Sequence, residues 1–244
     1  MVGEIIPFNW PPVHAGGKMA PALAAGNTVV LKPSEQAPLT VMRIVELLNT
    51  VLPEDVLHAV PGTGSKVGQP FTGHPLVRMV SFTGSTGAGA AVAGAAARNI
   101  TPALLELGGK DAMIVFDDAD FDRAVMDTAE GGFYNQGEAC TATSRILVQD
   151  GIYDRFVEQL AAAVTKLKVG RGTNPSVHVG PVVTKTQQQR VLSYIQAGIA
   201  AQAALPADPD LANGFWVAPT LFTDVTRTMR IAREEIFGPV VTVT

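Results

Sequence analysis

The chain has 244 residues, 47% of them hydrophobic and 16% charged, with a formal net charge of −4; that is enough apolar material for one large or two small packed domains and too much for an extended disordered chain. The acidic balance leaves no basic footprint for nucleic acid or an anionic membrane. No apolar run reaches the roughly 18 residues of a membrane span, and the opening MVGEIIPFNWPP lacks the basic, apolar and small-residue layout of a signal peptide, so the cytoplasm is the expected compartment.

In chain order, short apolar runs alternate with longer alanine-rich segments. The runs predict strands at Thr28 to Leu31, Val56 to Val60, Val77 to Phe82, Met113 to Phe116 and Arg145 to Val148, continuous enough to be buried on both faces. Helices are predicted over Lys18 to Ala25, Pro38 to Leu52, Thr86 to Arg98, Phe121 to Tyr134, Ile152 to Leu167 and Thr184 to Ala204, from start and stop residues such as Pro38 and the Gly26–Asn27 pair. Alternation of this kind implies parallel strands joined by right-handed crossovers, hence a doubly wound α/β fold with mostly parallel sheets in two lobes. The paired glycines of Leu107 to Asp111 mark a domain boundary, giving domains of 1–108 and 109–244. The Pro-, Asp- and Gly-rich stretch from Leu205 to Gly214 reads as a surface loop. Both ends read as unfinished: a single short apolar run precedes PFNWPP, and PVVTVT stops within a strand.

Chemistry starts from Cys140, the one cysteine of the chain, whose uses are buried filler, incidental thiol or nucleophile. Two glycine-rich turns follow strands. Gly62, Gly64 and Gly68 miss the dinucleotide fingerprint by one residue, while Gly84 and Ser85 precede a helix whose first N–H groups suit a phosphate; both are also ordinary strand-to-helix turns. Lys32 and Glu35, at a strand end and helix start, could bracket ribose hydroxyls or serve the helix dipole. Glu106 closes the apolar run ALLEL beside Gly108 and Gly109, a poorly solvated place that would raise a carboxyl towards a general base's range. Asn9, among three prolines, is a turn residue or an amide donor to an oxyanion. His14, His58, His74 and His178 show no ligand spacing, so no metal is expected, and no G-x-S-x-G elbow marks a serine hydrolase.

Six segments occur together and in order: IIPFNWP with Asn9, GNTVVLKPSE with Lys32 and Glu35, SFTGSTGAG with Gly84 and Ser85, LELGGK with Glu106, NQGEACTATSR with Cys140, and EEIFGPV with Glu235 and Phe237. On these the chain resembles the NAD(P)-dependent aldehyde dehydrogenase superfamily over nearly its whole length. The resemblance implies oxidation of an aldehyde to a carboxylic acid through a cysteine thiohemiacetal and thioester, with hydride transfer to NAD or NADP. It gives Cys140 as nucleophile, Glu106 as the residue that activates the hydrolytic water, Asn9 and the Cys140 N–H as oxyanion donors, and Lys18 near the oxyanion.

For the cofactor the resemblance implies Ile6, Pro7 and Phe8, Lys32 and Glu35 at the adenosine ribose, Gly64 and Gly68 by the adenine, and Gly84 with Ser85 at the diphosphate. Glu235, Phe237 and the Leu107 backbone would serve the nicotinamide end. Glu35 favours NAD, since a 2′-phosphate would meet its charge. Trp10, His14, Phe133, Tyr134, Ala139 and Thr141 would line an aldehyde tunnel, with room for a medium-sized or aromatic substrate. The N-terminal lobe would be part of a cofactor-binding domain and the C-terminal lobe part of a catalytic domain of a homo-oligomer, a dimer or tetramer.

The chain departs from the pattern in having Glu138 where Gln is frequent, Phe8 where Trp is frequent, and in being considerably shorter than family members. Two further readings follow: a truncated fragment that only binds cofactor or associates with other subunits, or an enzyme passing the acyl group to coenzyme A or phosphate, against which Glu106 argues.

Overall fold

The computed structural model of the chain describes residues 1–195, 201–203, 205 and 212–244 and falls into two compact units, Met1–Gly108 and Gly109–Thr244. Unit 1 contains β1 (Val2–Ile5), α1 (Pro11–Ala24), β2 (Val29–Lys32), α2 (Leu39–Leu48), β3 (Leu57–Ala59), α3 (Gln69–Thr72), β4 (Met79–Gly84), α4 (Thr86–Ala97) and β5 (Ala103–Leu107). Its sheet runs β3-β2-β1-β4-β5, with every pairing parallel. Successive side chains alternate faces. Ile6, Val29, Leu31 and Leu57 therefore pack with Ala15, Met19, Val41 and Val45 of α1 and α2 on one face, while Ile5, Val80 and Phe82 pack with Val92 and Ala96 of α4 on the other. Helices on both faces make the sheet doubly wound.

Unit 2 contains β6 (Ala112–Val115), α5 (Phe121–Phe133), β7 (Arg145–Val148), α6 (Tyr153–Thr165), α7 (Lys185–Ile195), β8 (Ala201–Gln202), β9 (Thr220–Phe222), α8 (Arg230–Arg233) and β10 (Val240–Val243). The order is β6-β7-β10-β9-β8, antiparallel only at β8. One face packs Ile146, Val148, Leu221, Val241 and Val243 against α5 and α6; the other packs Phe222 and Val240 against Val191, Tyr194 and Ile195 of α7 and Ile231 of α8.

The predicted strands and helices recur with boundaries shifted by a few residues, with three corrections. First, β1 is the central strand of unit 1, although only a short apolar run marks it, because Glu4 interrupts the pattern. Second, α1 begins at Pro11 rather than Lys18: Pro11 and Pro12 occupy its first turn, where no N–H is needed. Gly16, Gly17 and Pro21 hide this helix from propensity. Third, the helix predicted over Thr184 to Ala204 is described only as Lys185–Ile195; 201–202 pair as a strand with β9, and 196–200 and 204, like most of the predicted 205–214 loop, lie outside the described residues. Among the described residues no helix is long and apolar enough to cross a membrane.

Candidate functional site

In unit 1 the proposed residues collect at the carboxyl ends of the strands, where open α/β sheets bind ligands. A cavity of about 550 Å³ opens there, with Ile5 and Phe82 at the point where the strand order reverses and Lys32, Gly64, Gly68 and Thr72 among its walls. Lys32 is 4% exposed. Its Nζ donates to the Pro33 carbonyl at 3.0 Å and meets Glu35 Oε2 at 3.3 Å. Added Cβ atoms would find open space at Gly64 and only the Lys32 stem at Gly68, so a planar group can approach the backbone of both. Ser85 caps α4 by accepting from the Ala88 N–H at 3.4 Å, leaving the helix's first N–H groups directed towards the same end of the sheet. A cavity at the switch point, a buried lysine and an open helix N-terminus fit the adenosine and diphosphate of a dinucleotide.

On the other face of the same sheet, Asn9 and Trp10 connect β1 to α1, and His14 and Lys18 follow one turn apart on α1. The Trp10 and His14 rings lie 6.4 Å apart. Lys18 Nζ donates to Ser81 Oγ at 2.9 Å. Burial lowers the Lys18 ammonium's proton affinity, and the Glu4 and Glu106 carboxylates oppose that. Burial and then Lys18 lower the His14 imidazole's proton affinity, with Glu106 acting the other way. Glu106 is the last residue but one of edge strand β5 and is exposed in unit 1, so the poorly solvated setting expected from ALLEL is not what its own unit supplies: an edge strand has only one neighbouring strand. The backbone of Leu107 closes the same strand.

In unit 2, Cys140 follows a loop of unusual backbone: Asn135, Gln136 and Gly137 all have positive φ, at 49°, 58° and 68°. Three consecutive left-handed residues persist only where packing over-determines them. Gln136 Oε1 accepts from the Gly180 N–H at 3.3 Å, Glu138 Oε1 accepts from the Val183 N–H at 3.1 Å, and Asn135 Nδ2 donates to the Glu138 carbonyl at 3.2 Å. A Cβ at Gly137 would strike the Gly238 carbonyl. Gly137→Ala should therefore destabilise the protein by at least about 2 kcal/mol, from left-handed strain plus overpacking, as read by urea unfolding; an unchanged midpoint would contradict this packing.

Glu138 is 3% exposed. Burial pushes its carboxyl up to about 7, against the pull of the Val183 N–H and the Gln136 side chain. A folded-state pKa above the unfolded value means that the stability is complete below about pH 4.5 and is lost as pH rises through about 7. Glu138→Gln, which never ionises, should thus stabilise the protein on the order of 2 kcal/mol at pH 8 and little at pH 4.5; thermal melts at the two pH values check the difference.

Phe133 is 2% exposed and sits in the core of unit 2, whereas Tyr134 is 57% exposed. Of these two expected tunnel residues only Tyr134 can face a ligand, because Phe133 ends α5 on the side packed against the sheet. Ala139 is also buried, while Thr141 is exposed and Cys140 half-buried.

The last motif is held by residues the sequence did not single out. Gln187 Nε2 donates to the Phe237 carbonyl at 2.6 Å and Arg190 donates to the Glu235 carbonyl at 2.7 Å. Both lie on α7, and with Val191, which abuts Gly238, they occupy one helix face. The grip stabilises Phe237 at φ 59°. Burial raises the Glu235 carboxyl, opposed by the Gly109 N–H. Lys110 nearby is brought down to about 8 by burial and by Arg145, with Glu235 acting against them. No signal in the sequence separates Gln187 from its neighbours Gln188 and Gln189. Among the described residues no group of three or more His, Cys, Asp or Glu could hold a metal ion.

Residues 1–244 match the aldehyde dehydrogenase family. An aldehyde dehydrogenase of Didymella fabae is 59% identical over 246 residues, covering 98% of this chain and 50% of that protein. Aldehyde dehydrogenase citD of Monascus ruber is 58% identical over 245 residues, covering 98% and 49%. Among solved structures, betaine aldehyde dehydrogenase of Staphylococcus aureus in complex with NAD+ superposes with a TM-score of 0.96 at 42% identity, covering 100% of this chain and 50% of that one. The chain spans about half the length of the relatives it matches.

Proposed function

Since the chain belongs to the aldehyde dehydrogenase family, we propose that the protein carrying it oxidises an aldehyde to a carboxylic acid with NAD, NADP being the less favoured cofactor. Unit 1 is then part of a cofactor-binding domain and unit 2 part of a catalytic domain. The observation that carries the reading is the switch-point cavity of unit 1, with Lys32, Gly64 and Gly68 on its walls, in a chain whose unit 2 presents a half-buried single cysteine.

Lys32 and Glu35 would hold the adenosine ribose, Gly64 and Gly68 would admit the adenine, and Gly84 with the Ser85 turn would receive the diphosphate; Ile6, Pro7, Phe8, the Leu107 backbone, Glu235 and Phe237 would serve the remainder. NAD, when bound, supplies the acceptor for the hydride removed from the aldehyde carbon. Cys140 as thiolate attacks that carbon, forming a C–S bond as the carbonyl π bond breaks and leaves its electron pair on the oxygen. The Asn9 amide and the Cys140 backbone N–H receive the oxyanion, and Lys18 adds positive charge near it; one such donor is worth about 3 kcal/mol. Glu106 takes a proton from the water that adds to the resulting thioester, whose C–S bond breaks to return the thiolate and release the acid. Trp10, His14, Tyr134 and Thr141 bound the aldehyde's side chain. A reducing cytoplasm, which keeps the thiol free, and a homo-oligomeric assembly complete the proposal.

The test is NADH formation by the full-length protein given NAD and a panel of aldehydes, with and without coenzyme A or phosphate. Turnover independent of both acceptors supports hydrolysis; no NADH with any aldehyde overturns the reading.

A further inference from the structure

Glu4 is a carboxylate in the central strand of a parallel sheet. It is 1% exposed, and neither carboxylate oxygen has a hydrogen-bond partner among the described residues. A buried polar group left without a partner costs several kcal/mol, and a leucine would pack this position without that cost, so the carboxylate needs a compensating charge. Register supplies one. Glu4 stands directly opposite Ser81 on β4, their side chains on the same face, and the Ser81 hydroxyl is the acceptor that fixes Lys18 Nζ at 2.9 Å. Glu106 pairs with Thr83, two residues beyond Ser81 on β4, and therefore stands on that face too.

We infer that Glu4 is a positioning residue: its buried carboxylate and the Ser81 hydroxyl together seat the Lys18 ammonium and keep it charged on the sheet face that carries Glu106. This rests on the proposed roles of Lys18 and Glu106. The titratable group that acts on Glu4 is Lys18 from α1, His14 and Glu106 act on Lys18's surroundings from α1 and β5, and β2 and β4 present Leu31 and Ser81. The couplings agree from both sides. Burial raises the Glu4 carboxyl to about 7 against the pull of Lys18, and Glu4 is the larger of the two carboxylate effects holding the proton on Lys18. Glu4 and Glu106 both favour the charged form of Lys18 through their own charge rather than through a direct ion pair, and removing Glu4 leaves Lys18 easier to neutralise.

The experiment compares wild type, Glu4→Gln, Glu4→Asp and Ser81→Ala in the full-length protein, reading the pH profile of thioester hydrolysis, the KM values, and the titration of Lys18 by NMR of isotope-labelled lysine. Glu4→Gln and Ser81→Ala are expected to move the basic limb and the Lys18 titration to lower pH with both KM values unchanged, and Glu4→Asp to restore the limb towards wild type. A Glu4→Gln profile and titration that superimpose on wild type overturn the inference; should that variant fail to fold, an unmoved Lys18 in Ser81→Ala overturns it. If wild type forms no NADH, the proposed function fails, and the Lys18 titration still decides whether Glu4 and Ser81 seat the ammonium.

Discussion

Cys140→Ala is expected to lower aldehyde-dependent NADH formation by about 10⁴-fold or more, the scale on which an essential nucleophile acts, while leaving NAD binding intact. The residue is half-buried, at the end of a loop pinned by Gln136 and Glu138 to the backbone of 180–183, so truncating its side chain removes a thiol without opening the core. Its place two residues after Glu138 matters as well: the bonds that Gln136 and Glu138 make to Gly180 and Val183 do not involve the sulfur, and the variant should melt close to wild type. Calorimetric NAD titration with steady-state assay separates the two effects. Ordinary turnover in Cys140→Ala would sink the proposed mechanism, whereas loss of both binding and turnover would point to a misfolded variant and call for Cys140→Ser.

Glu106→Gln is expected to slow acyl-enzyme hydrolysis by roughly 10² to 10⁴, the range of a positioned general base, and to leave the pre-steady-state burst of NADH largely intact. The glutamine keeps size and hydrogen-bonding capacity but cannot take the proton of the attacking water. Glu106 lies exposed on an edge strand, so the substitution costs the sheet nothing, and the nearby charge of Lys18 loses its outer carboxylate partner. The diagnostic is a changed ratio: a burst followed by a much slower steady state. A burst and steady state both unaltered would remove Glu106 from the hydrolytic step.

Much of the site could be read before the fold because its residues sit in short contiguous motifs. Lys32 ends β2 and Glu35 lies in the turn that follows, ahead of α2 at Leu39, while Gly84 with Ser85 sits at a strand end and a helix start, so short contiguous motifs place them at strand ends. Glu106 is exposed, against the desolvation that ALLEL suggests, for a physical reason: an apolar run at a sheet edge has a neighbouring strand on one side only, and Leu104 in the same strand is 49% exposed. Phe133 erred in the opposite direction, since whether the last residue of a helix faces a core or a ligand depends on which side of α5 meets the sheet.

By itself, then, the sequence determined the alternation of strands and helices, the ordered set of motifs and the identity of the single thiol, because each depends on residues close together in the chain. Only the tertiary structure decided that β1 is central, that Glu4 and Ser81 face one another, and that α7 holds Glu235 and Phe237 through Gln187 and Arg190. Those contacts join positions 45 to 77 residues apart (81 − 4 for the Glu4–Ser81 pair). Such partners are chosen by parallel register and helix packing, which no local pattern encodes.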